Sequence, residues 1–255
     1  MSLSVLYLAG AGQSDDIDTR GNAAPWLAEQ AGRLVVEMLF DKLAPLSPGR
    51  IVVMAQQAEM RRLRVASIFA QLSERAVVVG VNGTTGGAAC TALLAVDRLP
   101  ADQELLVRSA NEYLDADYAA IIARFRASGA EAGVVCFPSI HPRYAFARLD
   151  AEGRVVEVAQ RDPISRNAMP GFHWFRSTAT FFDALGSMLQ KDGSVEGVFY
   201  LAPVLNEYVL RQLPVYGLPI NASNYHPLKT LRQIEQFCAR DALSPSFMPP
   251  LPPRE

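Results

Sequence analysis

Short apolar runs alternate along the chain with longer stretches whose apolar residues recur at helical spacing. Short apolar runs bounded by polar or glycine-rich segments are typical of strands buried on both faces of a parallel sheet. They predict strands at residues 5–8, 51–54, 76–81, 105–107, 134–137, 144–149 and 155–158. The stretches with helical spacing predict helices from residue 27 to 43 and at 88–96, 118–125, 181–189 and 200–210. This alternation predicts a doubly wound α/β sheet.

The first predicted strand runs into a loop of small residues, Ala9, Gly10, Ala11 and Gly12. In open α/β sheets, ligands bind at the carboxyl ends of the strands, and glycine lets a ligand approach the backbone closely. The same small residues also close tight strand-to-helix turns with no ligand, so the loop alone leaves both interpretations open. A second glycine loop, residues 82–87, follows the strand predicted at 76–81.

The composition is typical of one globular domain. The chain has 255 residues, half of them hydrophobic, and a formal net charge of −2. We expect one α/β domain over residues 1–240 and a proline-rich tail over 241–255. The absence of a strongly basic block in the sequence disfavours nucleic acid as a partner. No apolar run approaches the length of a membrane span, and the three scattered cysteines are typical of reduced thiols, so we expect a cytoplasmic protein with no membrane partner. The oligomeric state stays open.

Polar residues follow the strand predicted at 105–107. Asn111, Glu112, Asp115 and Asp117 offer three carboxylates and one carboxamide, which are ligand types that a hard cation such as Mg²⁺ prefers. Asp115 can instead cap the helix predicted at 118–125, and we favour the cap for that residue.

The loops and polar segments occur in a characteristic order. The chain carries LAGAG at 8–12, TTGGAACTALLA at 84–95, ANEYLDAD at 110–117, VVEVAQRDPISRNAMPGFHWF at 155–175 and GVFYLAPVLNEYV at 197–209. In this order and at these intervals, the segments resemble the sugar-phosphate nucleotidyltransferase family. The resemblance implies the nucleotide-diphosphosugar transferase type of α/β fold, a Rossmann-like mixed, mostly parallel sheet with helices on both faces.

The resemblance also implies a reaction and a set of site residues. In the family, a sugar 1-phosphate attacks the α-phosphorus of a nucleoside triphosphate, while Mg²⁺ and basic side chains neutralise the phosphate charge. The implied partners are a nucleotide or nucleotide sugar and a sugar phosphate. The candidate catalytic residues are Arg161 and Arg20, and the candidate metal ligand is Asn111. The candidate nucleotide-binding residues are Leu8, Ala9, Gly10, Ala11, Gly12, Thr85, Gly87 and Ala88, and the candidate sugar-binding residues are Asn111, Glu112, Gln160 and Gly171.

Several charged residues of the family pattern are replaced in this chain. The first loop has no arginine, which leaves Arg20 as the nearest substitute, and Trp26 stands where the resemblance implies a lysine. Asn111 replaces the implied metal-binding aspartate, and the pair Gln160–Arg161 replaces Glu-Lys. The segment YHPLK at 225–229 has no carboxylate where a second metal ligand is implied. Since each lost transition-state donor typically costs ~2.7–4 kcal/mol, we predict weak or absent transfer unless other residues take over: Arg20, Glu112, Asp115 and Asp117.

Three functional hypotheses follow. The first is a divergent nucleotidyltransferase of nucleotide-sugar or surface-polysaccharide metabolism. The second is a catalytically inactive relative that binds a nucleotide, a sugar phosphate or a protein partner. The third is a glycosyltransferase that uses Asp115 and Asp117 as a metal-binding pair.

The sequence also predicts where the site lies and what the histidines do. We predict that residues 9–14, 84–88, 109–112, 160–161 and 171–174 line one cleft. His141 and His173 lie beside aromatic residues, so we expect hydrogen-bonded structural histidines there. His226, at the replaced metal position, is the better site candidate.

Overall fold

The computed structural model describes residues 2–9, 25–30 and 32–241. The strands are β1 Leu3–Ala9, β2 Glu29–Gln30, β3 Arg33–Leu34, β4 Arg50–Gln56, β5 Ala76–Val81, β6 Glu104–Ser109, β7 Glu112–Leu114, β8 Ala132–Pro138, β9 Ala145–Leu149, β10 Val155–Gln160, β11 Asn167–Met169, β12 Phe172–Phe175, β13 Val215–Pro219 and β14 Tyr225–Pro227. The helices are α1 Val35–Asp41, α2 Gln57–Leu63, α3 Val65–Leu72, α4 Ala88–Leu93, α5 Tyr118–Ala127, α6 Thr178–Gln190, α7 Val204–Leu210 and α8 Leu231–Asp241. Short 3₁₀ turns lie at Pro25–Leu27, Ala44–Leu46, Val96–Arg98 and Ala222–Asn224.

Ten of the described strands form one mixed sheet. Its order is β10-β9-β11-β8-β12-β6-β1-β4-β5, with β13 paired to β8. The strands β4, β5 and β6 run parallel to β1, and β12 lies antiparallel between β6 and β8. Following the pairings outward, seven of these ten strands (β1, β4, β5, β6, β8, β9 and β13) run one way, while β10, β11 and β12 run the other way. The predicted Rossmann-like mixed, mostly parallel sheet is confirmed.

Helices cover both faces of the sheet, because its central strands are apolar on both sides. Val5 and Tyr7 of β1 point into a core shared with α1, α3, α5 and α8. Leu6, between them, points into the opposite core, which contains residues of α4, α6 and α7. This alternation of faces along a wholly apolar run is the pattern of a strand covered on both faces. None of the helices within the described ranges has both the length and the apolar character that crossing a bilayer requires.

Several predicted helices begin or end elsewhere. The helix predicted from residue 27 begins only at Val35, because β2 and β3 pair as a small antiparallel hairpin before it, in which Gly32 has a φ of +78°. The helix predicted at 88–96 ends at Leu93, and the one predicted at 200–210 begins at Val204, after Pro203. The turn of the hairpin needs a residue in the left-handed backbone region, which glycine adopts without strain. The spacing of apolar residues carries no information about such a turn.

The helix cap predicted at Asp115 is wrong. Asp117 precedes α5, and its carboxylate accepts the N–H of Ala120 at 3.0 Å. The carboxylate of Asp115 instead pairs with the ammonium of Lys42 at 2.7 Å. The cap therefore lies two residues later, at the position directly before the first helical residue. The proline-rich tail predicted for 241–255 lies outside the described residues apart from Asp241, which ends α8.

Candidate functional site

A cavity of about 250 Å³ opens at the carboxyl ends of two central parallel strands. Leu8 near the end of β1 and Ser109 at the end of β6 belong to its lining, and so do Gly87 and Ala88 at the start of α4. Parallel strands bring their carboxyl ends to one edge, which is where open α/β sheets bind ligands. The volume is a little below the ~300–1,000 Å³ of typical ligand pockets, so it suits part of an extended ligand.

The cavity brings together most of the described residues that the sequence marked. Four of the predicted cleft segments contribute to the lining, from residues 84–88, 109–112, 160–161 and 171–174. The predicted site residues in the lining are Leu8, Gly87, Ala88, Asn111, Glu112, Gln160 and Gly171. Ala9, the last residue of β1, is buried in the core. Gly10, Ala11, Gly12 and Arg20 lie outside the described residues.

The second glycine loop is fixed by its own backbone contacts. A Cβ at Gly87 would lie 2.4 Å from the carbonyl oxygen of Phe199, and Gly87 has φ of +134°. The N–H of Phe199 donates to the carbonyl of Gly86 at 2.8 Å, and the Phe199 carbonyl accepts the N–H of Ala89 at 3.0 Å. This close approach explains why the position needs glycine, whether or not a ligand binds there.

Thr85 uses its hydroxyl within the same loop. Its Oγ1 lies 2.7 Å from the hydroxyl of Thr91 and donates to the carbonyl of Gly87 at 3.0 Å. The described cavity lining does not include Thr85. Its assignment to nucleotide binding therefore stays a prediction from the resemblance.

A buried arginine holds the strand end together beneath the cavity. The guanidinium of Arg108, whose side chain is fully buried, donates to the carbonyl of Gly171 at 2.7 Å and to the hydroxyl of Tyr118 at 3.0 Å. Its Nη1 lies 3.7 Å from Oε1 of Glu112. Arg108 thereby fixes both Gly171 and Glu112, which come from different segments of the chain.

Glu112 is a buried carboxyl group in a strongly polar setting. Burial raises its pKa, and the neighbouring positive charges of Arg108 and Lys229, the N–H of Gly171 and the hydroxyl of Tyr225 only partly oppose that rise. Burial likewise raises the pKa of Tyr225 well above its ordinary value, and Glu112 adds to the rise. A Cβ at Gly171 would lie 2.6 Å from Oε1 of Glu112, so glycine is needed beside this carboxylate.

His173 differs from what its sequence context predicts. The residue is 4% exposed and lines the cavity, yet neither ring nitrogen has a hydrogen-bond partner among the described residues. Burial, with a contribution from Arg108, lowers its pKa from the ordinary 6.5 to about 3, so the imidazole is neutral at pH 7. The predicted hydrogen-bonded structural histidine is therefore wrong here. At His141 the prediction is confirmed, because Nδ1 accepts the N–H of Arg143 at 3.3 Å.

The cations of the cavity are not those that the resemblance implied. Arg143 and Lys229 belong to the lining, whereas Arg161 does not and pairs instead with Glu196 at 3.2 Å. Arg161 is the residue after Gln160, which does line the cavity, and it adopts a left-handed backbone with φ of +63°. Its catalytic role stays a prediction. Lys229 belongs to the YHPLK segment, which the resemblance had already placed at the site. Nothing in the sequence singles out Arg143.

The aromatic replacements pack away from the cavity. Trp26, where the resemblance implied a lysine, is buried with its ring 5.6 Å from that of Phe69. The ring of His226 packs against Phe237 at 5.2 Å, and His226 is not part of the described lining. Neither residue offers a group to a ligand in this cavity.

The described residues do not fit a Mg²⁺ site. No group of three or more His, Cys, Asp or Glu side chains within them could hold a metal ion. Glu112 is the only carboxylate of the described lining, and it already faces Arg108 and Lys229. The pair proposed for a glycosyltransferase is occupied, since Asp115 pairs with Lys42 and Asp117 caps α5. Mg²⁺, which prefers near-octahedral oxygen ligands, therefore remains an implication of the resemblance alone.

Comparison with known proteins identifies the architecture. No protein-family model matches the chain, and no curated protein matches it by sequence. Among solved structures, a nucleoside-diphosphate-sugar pyrophosphorylase from Vibrio cholerae superposes with a TM-score of 0.77 at 15% identity, over 92% of this chain and 99% of its own. The chain has the sugar-phosphate nucleotidyltransferase fold.

Two further structures share this nucleotidyltransferase fold. One is described as a glucose-1-phosphate thymidylyltransferase from Bacillus anthracis in complex with sucrose, with a TM-score of 0.72 at 14% identity, covering 94% of this chain and 95% of its own. The other is HddC from Yersinia pseudotuberculosis, with a TM-score of 0.63 at 11% identity, covering 93% and 99%. At these identities the likeness establishes the fold, and the activities named belong to those proteins.

Proposed function

We propose that the cavity binds a nucleotide sugar or a sugar phosphate, and that the protein is a divergent sugar-1-phosphate nucleotidyltransferase whose transfer activity is weak. The fold and the position of the cavity at the carboxyl ends of β1 and β6 support this proposal. The proposal places the protein in nucleotide-sugar or surface-polysaccharide metabolism, in the cytoplasm where nucleoside triphosphates are found.

The observation that carries the proposal is the composition of the cavity lining. It combines three cationic residues, the buried Arg108 together with Arg143 and Lys229, with uncharged polar groups such as Asn111 and Gln160. Cations bind phosphate oxygens, and uncharged donors and acceptors suit the hydroxyls of a sugar. A ligand that carries both kinds of group matches this lining better than an apolar molecule or a polyanion.

The expected weakness of the transfer follows from charge. Joining a sugar phosphate to the α-phosphorus brings two anions together, so the reaction depends on cations that neutralise the phosphate oxygens. Trp26 is buried in the core, Arg161 is paired outside the described lining, and Asn111 supplies only a neutral carboxamide. Each missing donor typically costs ~2.7–4 kcal/mol of transition-state stabilisation. Arg143 and Lys229 would replace part of that stabilisation.

A second candidate function is binding without transfer. It is favoured by the state of Glu112, the only carboxylate of the described lining, which is buried against Arg108 and held by the Tyr225 hydroxyl. A carboxylate with these neighbours is a poor ligand for Mg²⁺, because a cation would have to displace a guanidinium from a buried site. In this case the protein would bind a nucleotide, a sugar phosphate or a protein partner without turnover.

Binding and turnover together test both candidates. Thermal-shift and calorimetric titrations would use glucose 1-phosphate, UDP-glucose, dTDP-glucose and GDP-mannose, and pyrophosphate release would be measured with each nucleoside triphosphate, glucose 1-phosphate and Mg²⁺. Slow, saturable release of pyrophosphate supports weak transfer, whereas binding without release supports the second candidate. Binding of none of these ligands would contradict both.

Charge variants locate the phosphate within the cavity. Arg143→Gln and Lys229→Gln should each weaken binding about tenfold, since each removes one charge-assisted contact to phosphate. Arg148→Gln is the matched control, because Arg148 lies outside the described lining and pairs on the surface with Glu157 at 2.5 Å. Equal affinities in all three variants would place the phosphate elsewhere.

A further inference from the structure

Two buried polar side chains line the cavity with unused hydrogen-bonding atoms. Among the described residues, neither ring nitrogen of His173 has a hydrogen-bond partner. Oε1 of Glu112 accepts no hydrogen bond either, although Nη1 of Arg108 lies 3.7 Å from it. Both residues belong to the lining and are nearly inaccessible, with 4% and 6% exposure. Buried polar groups without partners are rare in folded proteins and destabilise them, so each such group calls for an explanation.

The local backbone directs His173 towards the cavity. Phe172 and Trp174 of β12 point into the core on one face of the sheet, so His173, between them, points to the other face. Gly171, two residues earlier on the same face, leaves open the space beside Oε1 of Glu112, since a Cβ there would lie 2.6 Å from that oxygen. The glycine therefore leaves room for the carboxylate beside the strand, at the buried edge of the cavity.

The chemistry of this pair selects the kind of group it can bind. A neutral imidazole offers one donor and one acceptor, and a carboxylate offers acceptors. A hydroxyl both donates and accepts, so it can satisfy either side chain. A phosphate would gain one neutral N–H from His173 and would be repelled by Glu112, whereas Arg143 and Lys229 attract it elsewhere in the lining.

We propose that His173, together with Glu112, binds hydroxyl groups of the sugar ring and that His173 determines which sugar the protein accepts. This inference rests on the proposed function and adds a specificity-determining residue to it. The unused atoms of the apo-protein then become the hydrogen-bonding partners of the ligand. A site built to hydrogen-bond a hydroxyl rejects a ligand that lacks it in the right place, because the buried groups stay unpaired.

The test is the preference among sugars that differ in one hydroxyl. Glucose, galactose and mannose 1-phosphates would be titrated calorimetrically into the wild-type protein and into His173→Phe, His173→Gln and His226→Phe. The wild type should bind one sugar about tenfold or more tightly than its epimers. His173→Phe should bring the three affinities within about threefold by weakening the preferred one, and His173→Gln, which keeps a donor and an acceptor, should retain part of the preference. His226→Phe, outside the described lining, should leave the preference unchanged.

The outcomes separate this inference from the proposed function. If the wild type shows no preference, or if His173→Phe keeps the wild-type preference, the inference is wrong while the proposed function stands. If no hexose 1-phosphate or nucleotide sugar binds, the proposed function fails and the inference fails with it. Titration with inorganic pyrophosphate checks that the cavity survives in His173→Phe. If His173→Phe no longer binds pyrophosphate, the preference of His173→Gln decides the test. Any His173 variant that still binds pyrophosphate and keeps the full wild-type preference contradicts the inference.

Discussion

Replacing His173 by phenylalanine should reduce the loss of stability of the fold between pH 7 and pH 5. In the folded protein, burial and Arg108 lower the pKa of this imidazole to about 3, against 6.5 in an unperturbed histidine. As the pH falls below 6.5, the unfolded chain therefore gains a proton at His173 that the folded protein does not bind. Stability is lost with falling pH over the whole window from about 6.5 down to about 3.

The magnitude follows from the two pKa values. One unit of pKa difference corresponds to ~1.4 kcal/mol. At pH 5 the pH lies about 1.5 units below the pKa of His173 in the unfolded chain but still above its pKa in the folded protein. The wild type should therefore lose about 2 kcal/mol at this residue between pH 7 and pH 5. Glu112, whose pKa is raised by burial, acts in the opposite sense and weakens the fold as the pH rises above the ordinary carboxyl range. Since both proteins contain Glu112, their difference isolates His173.

The assay is urea unfolding of the wild type and His173→Phe at pH 7, 6 and 5. The variant should be at least as stable as the wild type at pH 7, because two unpaired buried nitrogens are removed. By pH 5 its advantage should have grown by about 2 kcal/mol. His141→Phe, a change at an exposed histidine, is the control and should follow the wild type. An equal loss of stability in the wild type and His173→Phe would refute the argument that this imidazole is buried and neutral.

Two further predictions concern the scaffold of the site. Arg108→Met should lower the free energy of unfolding by about 3–5 kcal/mol, because it leaves the Glu112 carboxyl buried without its guanidinium. Arg148→Met, which breaks an exposed pair, should lower the free energy of unfolding by less than about 1 kcal/mol. Chemical denaturation measures both changes, and an equal loss of unfolding free energy in the two variants would contradict the role of the buried pair. Gly87→Ala should cost more stability than Gly129→Ala, because both glycines have positive φ but only a Cβ at Gly87 meets a backbone oxygen, at 2.4 Å. Equal melting temperatures for the two glycine variants would show that the loop moves away from Phe199 at little cost.

The sequence predicted the central strands well for a physical reason. A strand segment covered on both faces is apolar along its length, so β1, β4 and residues 105–107 of β6 stand out as apolar runs. Short strands such as β7, β11 and β14 carry only three residues each, too few for any pattern to identify them. The helix predicted from residue 27 begins later because Leu27, in a 3₁₀ turn, and Leu34, at the end of β3, lie seven residues apart and so match helical spacing without being helical.

The candidate site could be predicted only in part. Strand ends and glycine loops are visible in the sequence, and Glu112, Gln160 and Gly171 do reach one cavity. The state of a side chain depends on its three-dimensional surroundings, however. Nothing next to His173 in the sequence shows that both ring nitrogens are buried without partners, and nothing next to Arg161 shows that Glu196 pairs with it.

The central proposal is that this protein binds a phosphorylated sugar through cationic and neutral groups, and because the described residues do not fit a Mg²⁺ site, we expect binding that needs no metal ion. Calorimetric titration with UDP-glucose, dTDP-glucose, GDP-mannose and glucose 1-phosphate, once with Mg²⁺ and once with EDTA, tests it most directly. The account predicts that at least one of these ligands binds with affinities that agree within about threefold in the two conditions. Binding that requires Mg²⁺ and disappears in EDTA would contradict it.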